Sequence, residues 1–149
     1  MFIPDTCKVV PTFRTMVGHC RDAYNWLDDD TKPYLEGWTK PPDANASALK
    51  KTESPWVYKS ALKLKNEPYM ATISTYKGGG YAVNLGLTKA DTEKIVQNLY
   101  ETNWVDTHTR AVFIEFTLYN GNVNLFTSVR MTAEFMSTGS VTTRTEYKV

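Results

Sequence analysis

Little in this chain is available for chemistry: it has two cysteines, two histidines and no surplus of charge of either sign. With 17 Lys and Arg against 16 Asp and Glu, a formal net charge of +1 leaves no electrostatic footprint for nucleic acid or an anionic membrane surface. Long apolar runs are also missing. The longest, Ala111 to Phe116, contains Glu115 and falls far short of the ~20 residues that span a bilayer. Neither end has a basic segment followed by a signal-peptide core, so any secretion signal is expected to lie outside this stretch. There is no internal repeat or low-complexity tract, and 149 residues suit one domain with its own core.

The scarce reactive residues form no recognisable site. His108, in Thr107-His108-Thr109, precedes a strand pattern, where histidine is usually a solvated loop residue. His19 adjoins Cys20 and with Cys7 offers three soft ligands, whereas structural zinc wants four at recognisable spacing. From spacing alone, Cys7 and Cys20 are either a disulfide, closing a short loop for on the order of 3 kcal/mol, or two free thiols. Asp28-Asp29-Asp30 lacks the glycine and terminal glutamate of an EF-hand and reads as a solvated acidic turn. Asp106 and Glu115 belong to different local environments, and Glu115 is expected to pair with a cation such as Arg130. Gly78-Gly79-Gly80 has no phosphate-loop lysine and reads as a turn. The expectation is a protein that is not an enzyme, with no catalytic residue, metal or cofactor. Asn45-Ala46-Ser47, after Pro41-Pro42, is an N-glycosylation sequon in a segment expected to be exposed. Together with the cysteine pair it leans towards an extracellular setting.

What the chain does have is a strong conformational signal. Trp104 to Phe135 reads as one long β-hairpin around Asn120-Gly121, since Asn-Gly between alternating apolar runs favours a type I′ turn with positive φ at both central residues. With Tyr119 opposite Asn122, Val112 is expected to face Val129, Ile114 to face Thr127, Phe116 to face Leu125 and Leu118 to face Val123. The opposite face is mixed, so only one side needs covering. Lys89 to Asn103 carries Ile95, Val96, Leu99 and Tyr100 at helical spacing behind a Thr88 cap with Asp91 three residues on. That stripe is expected to lie against the apolar face of the hairpin. Tyr69 to Tyr76 is a strand pattern, turned by the three glycines into Tyr81 to Leu85 as a second hairpin. Residues 1–55 are loop-rich, with a short helix around Arg21 to Leu27 at most, and residues 137–149 are a last strand or a frayed end. The expected class is α+β: an antiparallel sheet with a long central hairpin, packed against helices on one face, after a loop-rich N-terminal third. Four tryptophans and nine tyrosines exceed what one small core requires. They are expected either on a contact surface or partly buried under long loops, which makes partner binding a better reading than catalysis.

Several strings resemble one known family. Thr109-Arg110-Ala111-Val112-Phe113 and Asn122-Val123-Asn124-Leu125-Phe126 look like the signature of the polycystins. Trp56-Val57-Tyr58, Tyr76 with Gly78-Gly79-Gly80-Tyr81, and Trp104-Val105-Asp106 resemble further elements of that family, in family order and spacing. The resemblance covers nearly the whole chain, 1–149, as a single extracellular polycystin domain between the first two helices of a six-helix channel module. Tyr34-Leu35-Glu36-Gly37-Trp38 and Leu85-Gly86-Leu87-Thr88 look nearer to the polycystin-1 and polycystin-1-like branch. Thr127 and Met136 depart from the family pattern, which often has cysteine and proline there. The resemblance implies a disulfide between Cys7 and Cys20 in a loop that reaches the adjacent subunit, and relatives carry a sequon near Asn45. It implies a calcium-permeable cation channel whose domains form a four-fold ring, with polycystin-2-type subunits or further copies as partners. The implied location is the extracellular or luminal side of the plasma or ciliary membrane. A cell-surface ligand-binding module is the alternative; it would gather exposed tryptophans around one convergent pocket.

Overall fold

The computed structural model describes residues 9–16, 23–42 and 53–149. Cys7, His19, Cys20 and Asn45 lie outside the described residues. The class is α+β, dominated by antiparallel strands. Its largest element is a three-stranded sheet in the order β5 (Ala111–Asn120), β6 (Leu125–Phe135) and β7 (Val141–Lys148). The segment after Phe135 is therefore a strand, paired along β6 from Ser128↔Lys148 to Phe135↔Val141.

The register corrects the expected hairpin by four residues. Asn120 pairs with Leu125, Phe116 with Val129 and Val112 with Ala133, which leaves Gly121 to Asn124 as a four-residue loop. A type I′ turn at Asn120-Gly121 gives way because the positive φ falls on Asn124, at 53°, and not on Gly121. Local hydrogen bonds hold this loop: the Asn120 Oδ1 accepts from the Asn122 N–H at 3.0 Å, and the Tyr119 hydroxyl donates to the Asn124 Oδ1 at 2.8 Å. A shift of four is even, so every side chain stays on its expected face. Glu115 and Arg130 do oppose each other, with Nε to Oε1 at 2.5 Å.

Tyr69 to Tyr76 does not run as one strand. It folds back on itself as β2 (Tyr69–Met70) and β3 (Thr75–Tyr76), with the Ala71 N–H donating to the Ser74 carbonyl at 3.0 Å. The glycine triplet does not join β3 to Tyr81 as a second hairpin either, because β4 (Gly80–Tyr81) pairs with β1 (Tyr58–Lys59), not with β3. Two of its glycines are required by close approach: a Cβ on Gly78 would run into the Asn66 carbonyl oxygen, and one on Gly79 into the Tyr58 hydroxyl.

Between these pieces lie α1 (Ala61–Leu64), capped by Ser60, and α2 (Lys89–Glu101). In α2 the Thr88 hydroxyl oxygen accepts from the Asp91 N–H at 3.2 Å and donates to its carboxylate at 2.6 Å. The helix ends in a Schellman arrangement with Asn103 at φ 52°, Trp104 N–H to Leu99 carbonyl and Asn103 N–H to Tyr100 carbonyl. Ile95 and Leu99 turn inward and are half-buried, whereas Val96 and Tyr100 face solvent. The covering expected over the hairpin's apolar face is incomplete, because Ile114, Phe116 and Leu118 remain 40–55% exposed. Of the region around Arg21 to Leu27, the described part forms only the start of a 3-10 turn, Trp26–Asp28, with the Asn25 side chain as its cap.

Candidate functional site

The base of the sheet is organised around a buried acid. Glu134, 1% exposed, lies on the mixed face of β6. Its carboxylate accepts from the backbone N–H groups of Thr72 at 2.9 Å, Ile73 at 3.0 Å and Ser74 at 3.4 Å, and from the Tyr76 hydroxyl at 3.1 Å. Successive N–H groups of a tight turn form a concave anion site, and here the anion is supplied by the protein itself. This is why the β-branched Tyr69 to Tyr76 run bends: the carboxylate binds the amides a straight strand would direct elsewhere. Burial first, and then the charge of Glu134, push the Tyr76 hydroxyl well above the usual phenol range. Above the turn, Tyr69 and Tyr76 meet Phe113 edge-on at 5.7 and 5.6 Å between ring centroids.

Most of the aromatic surplus goes into a second cluster, so the reading as partial burial under loops describes it better than a tryptophan-lined contact surface. Trp38 meets Trp56 and Tyr81 edge-on, each at 4.9 Å, and Tyr34 packs on Trp38 at 5.5 Å. Indole N–H groups tie the cluster to distant backbone, Trp38 to the Asn103 carbonyl and Trp104 to the Pro55 carbonyl. The segment Tyr34 to Trp38 is thereby fastened to the end of α2.

The acidic triplet is not the solvated turn its sequence implied. The Asp29 side chain is nearly inaccessible, accepts from the Tyr24 hydroxyl at 3.0 Å and lies 3.5 Å from the Lys77 Nζ. Burial raises its carboxyl above the usual aspartate value. Asp30 accepts from the Tyr34 hydroxyl at 2.5 Å and from the Lys32 N–H. The Asp29–Lys77 pair and the Trp26 indole, which donates to the Thr75 carbonyl, bind residues 24–29 to the end of β3. His108 is held 2.8 Å from the Asp106 carboxylate within one local turn, a structural use of both. Among the described residues, no three His, Cys, Asp or Glu side chains are grouped to hold a metal ion.

Outward-facing apolar groups fall on separate parts of the surface. One is the uncovered far half of the sheet. Another is a row of Val10, Phe13 and Met16, exposed by 61, 56 and 81%, which no sequence pattern singled out. Two shallow clefts have mixed linings: one of about 360 Å³ is bordered by Phe116 and Val129 as well as Glu115, Arg130, Glu146 and Lys148, and one of about 280 Å³ by Phe135 and Met136 as well as Asp106, Thr107 and Arg110. No described helix is long and apolar enough to cross a membrane.

A family model described as Polycystin domain matches residues 2–148. The chain is 34% identical over 96% of its length to polycystin-2-like protein 2 of Mus musculus, and 34% identical over 91% to polycystin-2 of Danio rerio. It is 36% identical over 77% of its length to polycystin-1-like protein 3 of Mus musculus. It spans only 21, 13 and 5% of the length of these three relatives. The strings whose sequence resembled the family have physical roles at the base: Thr109, Arg110 and Ala111 are buried, Phe113 packs between two tyrosines, and Gly78 and Gly79 admit close backbone and ring contacts. With a family match over nearly all of its length, this chain belongs to the polycystin domain family.

Proposed function

We propose that this chain is the extracellular assembly domain of a polycystin-1-like subunit of a calcium-permeable cation channel, with no enzymatic activity. Domains of neighbouring subunits touch in a four-fold ring above the pore, and the neighbours are polycystin-2-type subunits or further copies. The supporting observation is the family match across residues 2–148. A four-fold contact is heterologous, so each copy must offer two different surfaces. A ligand-binding module would instead gather its apolar and polar groups in one enclosed pocket, whereas the two clefts described here are shallow and open, with mixed linings. The polycystin-1-like assignment rests on Tyr34-Leu35-Glu36-Gly37-Trp38 and Leu85-Gly86-Leu87-Thr88.

Within this reading Cys7 and Cys20 form a disulfide in a loop that reaches the next subunit, and Asn45 carries a glycan on the extracellular or luminal side. The test is co-expression of the full subunit with a polycystin-2-type partner, with and without Cys7→Ser. Association should fall in the variant. Equal association in both would remove the cysteine loop from the contact.

A further inference from the structure

The long hairpin ends in a charge-free tip. Between Glu115 and Arg130, which pair with each other across the ladder, fourteen consecutive residues carry no charge. Nearer the base the sheet keeps all six of its charged residues on one face. The tip is apolar on both: Leu118 and Leu125 are exposed by 55 and 49% on one face, and Tyr119 and Phe126 by 57 and 63% on the other. The two rings lie against each other at 4.8 Å and shield one another only in part.

A two-stranded ribbon has no interior, so apolar groups on both of its faces are not buried by packing one face against a protein. A lipid surface surrounds whatever enters it and favours apolar groups on every side. Absence of charge fits the same medium, because a charged side chain is costly to bring into a bilayer. Tyrosine, with an apolar ring and a polar end, belongs at the boundary between membrane and water. The loop has also engaged part of its own polarity: the Asn120 Oδ1 accepts from the Asn122 N–H and the Asn124 Oδ1 from the Tyr119 hydroxyl. Paired groups cost less to take out of water than free ones. Depth follows from the register. The first charge behind the tip is Lys148, on the rung with Ser128, three residues short of the Asn120↔Leu125 rung. The tip therefore stands ~10 Å beyond Lys148, which matches the ~5–10 Å to which interfacial elements sink between headgroups and acyl chains.

We infer that the β5–β6 tip enters a lipid bilayer as a shallow wedge, with Leu118, Tyr119, Leu125 and Phe126 among the lipids and Lys148 at headgroup level. The inference rests on the channel-subunit reading above, in which the domain is inserted between two membrane helices. The chain then runs on from β7 to the second of them, and the end of β7 lies at the same end of the sheet as the tip. Lys148 is a lone cation there, far from the cluster of basic residues that selects anionic lipid, so the contact is apolar and does not depend on headgroup charge.

The experiment uses the full subunit, co-expressed with a polycystin-2-type partner and reconstituted into phosphatidylcholine vesicles. Photoreactive benzoylphenylalanine replaces Leu118 or Phe126 at the tip or, for comparison, Thr143, which is exposed on β7 towards the base. After irradiation, mass spectrometry of the labelled peptides should find several times more lipid adduct at Leu118 and Phe126 than at Thr143. Leu118→Asp should lower the yield at Phe126, because the new charge resists entry. A yield at the tip no higher than at Thr143, crosslinks from the tip to protein in place of lipid, or a requirement for phosphatidylserine would each overturn the inference. Co-purification of the partner is read in the same sample. Its loss removes the assembly reading and leaves the lipid adducts to decide the tip, whereas a tip without lipid in a subunit that still binds its partner removes the wedge alone.

Discussion

The base and the far end of the long sheet are built from the same three strands but held by different forces. At the base, Ala111, Phe113, Thr132 and Glu134 sit under the β2–β3 turn, two tyrosines and a buried carboxylate, so side chains fix the fold from both the polar and the apolar side. At the far end, from Ile114 to Met131, Val129 is the one buried side chain, and the backbone ladder with pairs such as Glu115 with Arg130 and Tyr119 with Phe126 carries most of the structure. The base is therefore where stability resides, and the far end leaves Ile114, Phe116 and Leu118 exposed. Four measurements should separate the two regions.

The largest effect is expected from Glu134→Ala, which strands three backbone N–H groups and the Tyr76 hydroxyl in the interior. Leaving several buried donors unpaired should cost about 4 kcal/mol, which lowers the melting temperature by roughly 10 °C in a domain of this size. A loss below about 1 kcal/mol would mean that water replaces the carboxylate and that the base is no more locked than the tip.

Alkali should strike next, at Tyr76 in the base and at the tyrosines packed around Trp38 and Asp29. Tyr24, Tyr34, Tyr76 and Tyr81 all have their hydroxyls raised above the ordinary value of 10.0, chiefly by burial. A phenol raised in the folded state contributes stability that is intact below its unfolded value and disappears as pH climbs through the folded one. Thermal stability should fall steeply above about pH 10, and absorbance at the phenolate band should rise together with unfolding. Titration of all nine tyrosines before any loss of structure would contradict the burial.

At the tip the expected effects are small. Asn124→Ala places a Cβ-bearing residue without local hydrogen bonding at positive φ and should reduce stability by about 1 kcal/mol, whereas Asn124→Gly should be close to neutral. Equal values for the two would show that the loop does not need its left-handed residue. Leu118→Ser, on the uncovered face, should remain within about 0.5 kcal/mol of the parent in a denaturant titration. A larger loss would mean that something in the domain covers that face after all.

The same contrast decides what could be read in advance. The faces of the long hairpin were legible because strand periodicity is two and survives any even change of register. The register itself was not, since it depends on whether positive φ falls at Gly121 or Asn124, and the Tyr119 to Asn124 hydrogen bond belongs to the folded loop. The α2 start was legible from Thr88 and Asp91, because capping is local. Glu134 could not be recognised, as its partners lie about sixty residues earlier and a glutamate in a strand ordinarily faces water. Asp29 was hidden for the same reason, its environment being made by Tyr24 and Lys77 across two chain segments.

The Glu134 carboxylate also bears on the order in which this chain folds. A two-stranded hairpin as short as β2–β3 is not stable by itself in water, and the anion that organises its turn is delivered only when β6 is in place. Residues 69 to 76 should therefore be among the last to acquire protection from amide hydrogen exchange during refolding, although they are made well before β6. Contacts spanning so much sequence slow folding, and any truncation that ends before Glu134 should leave Thr72 to Ser74 unprotected.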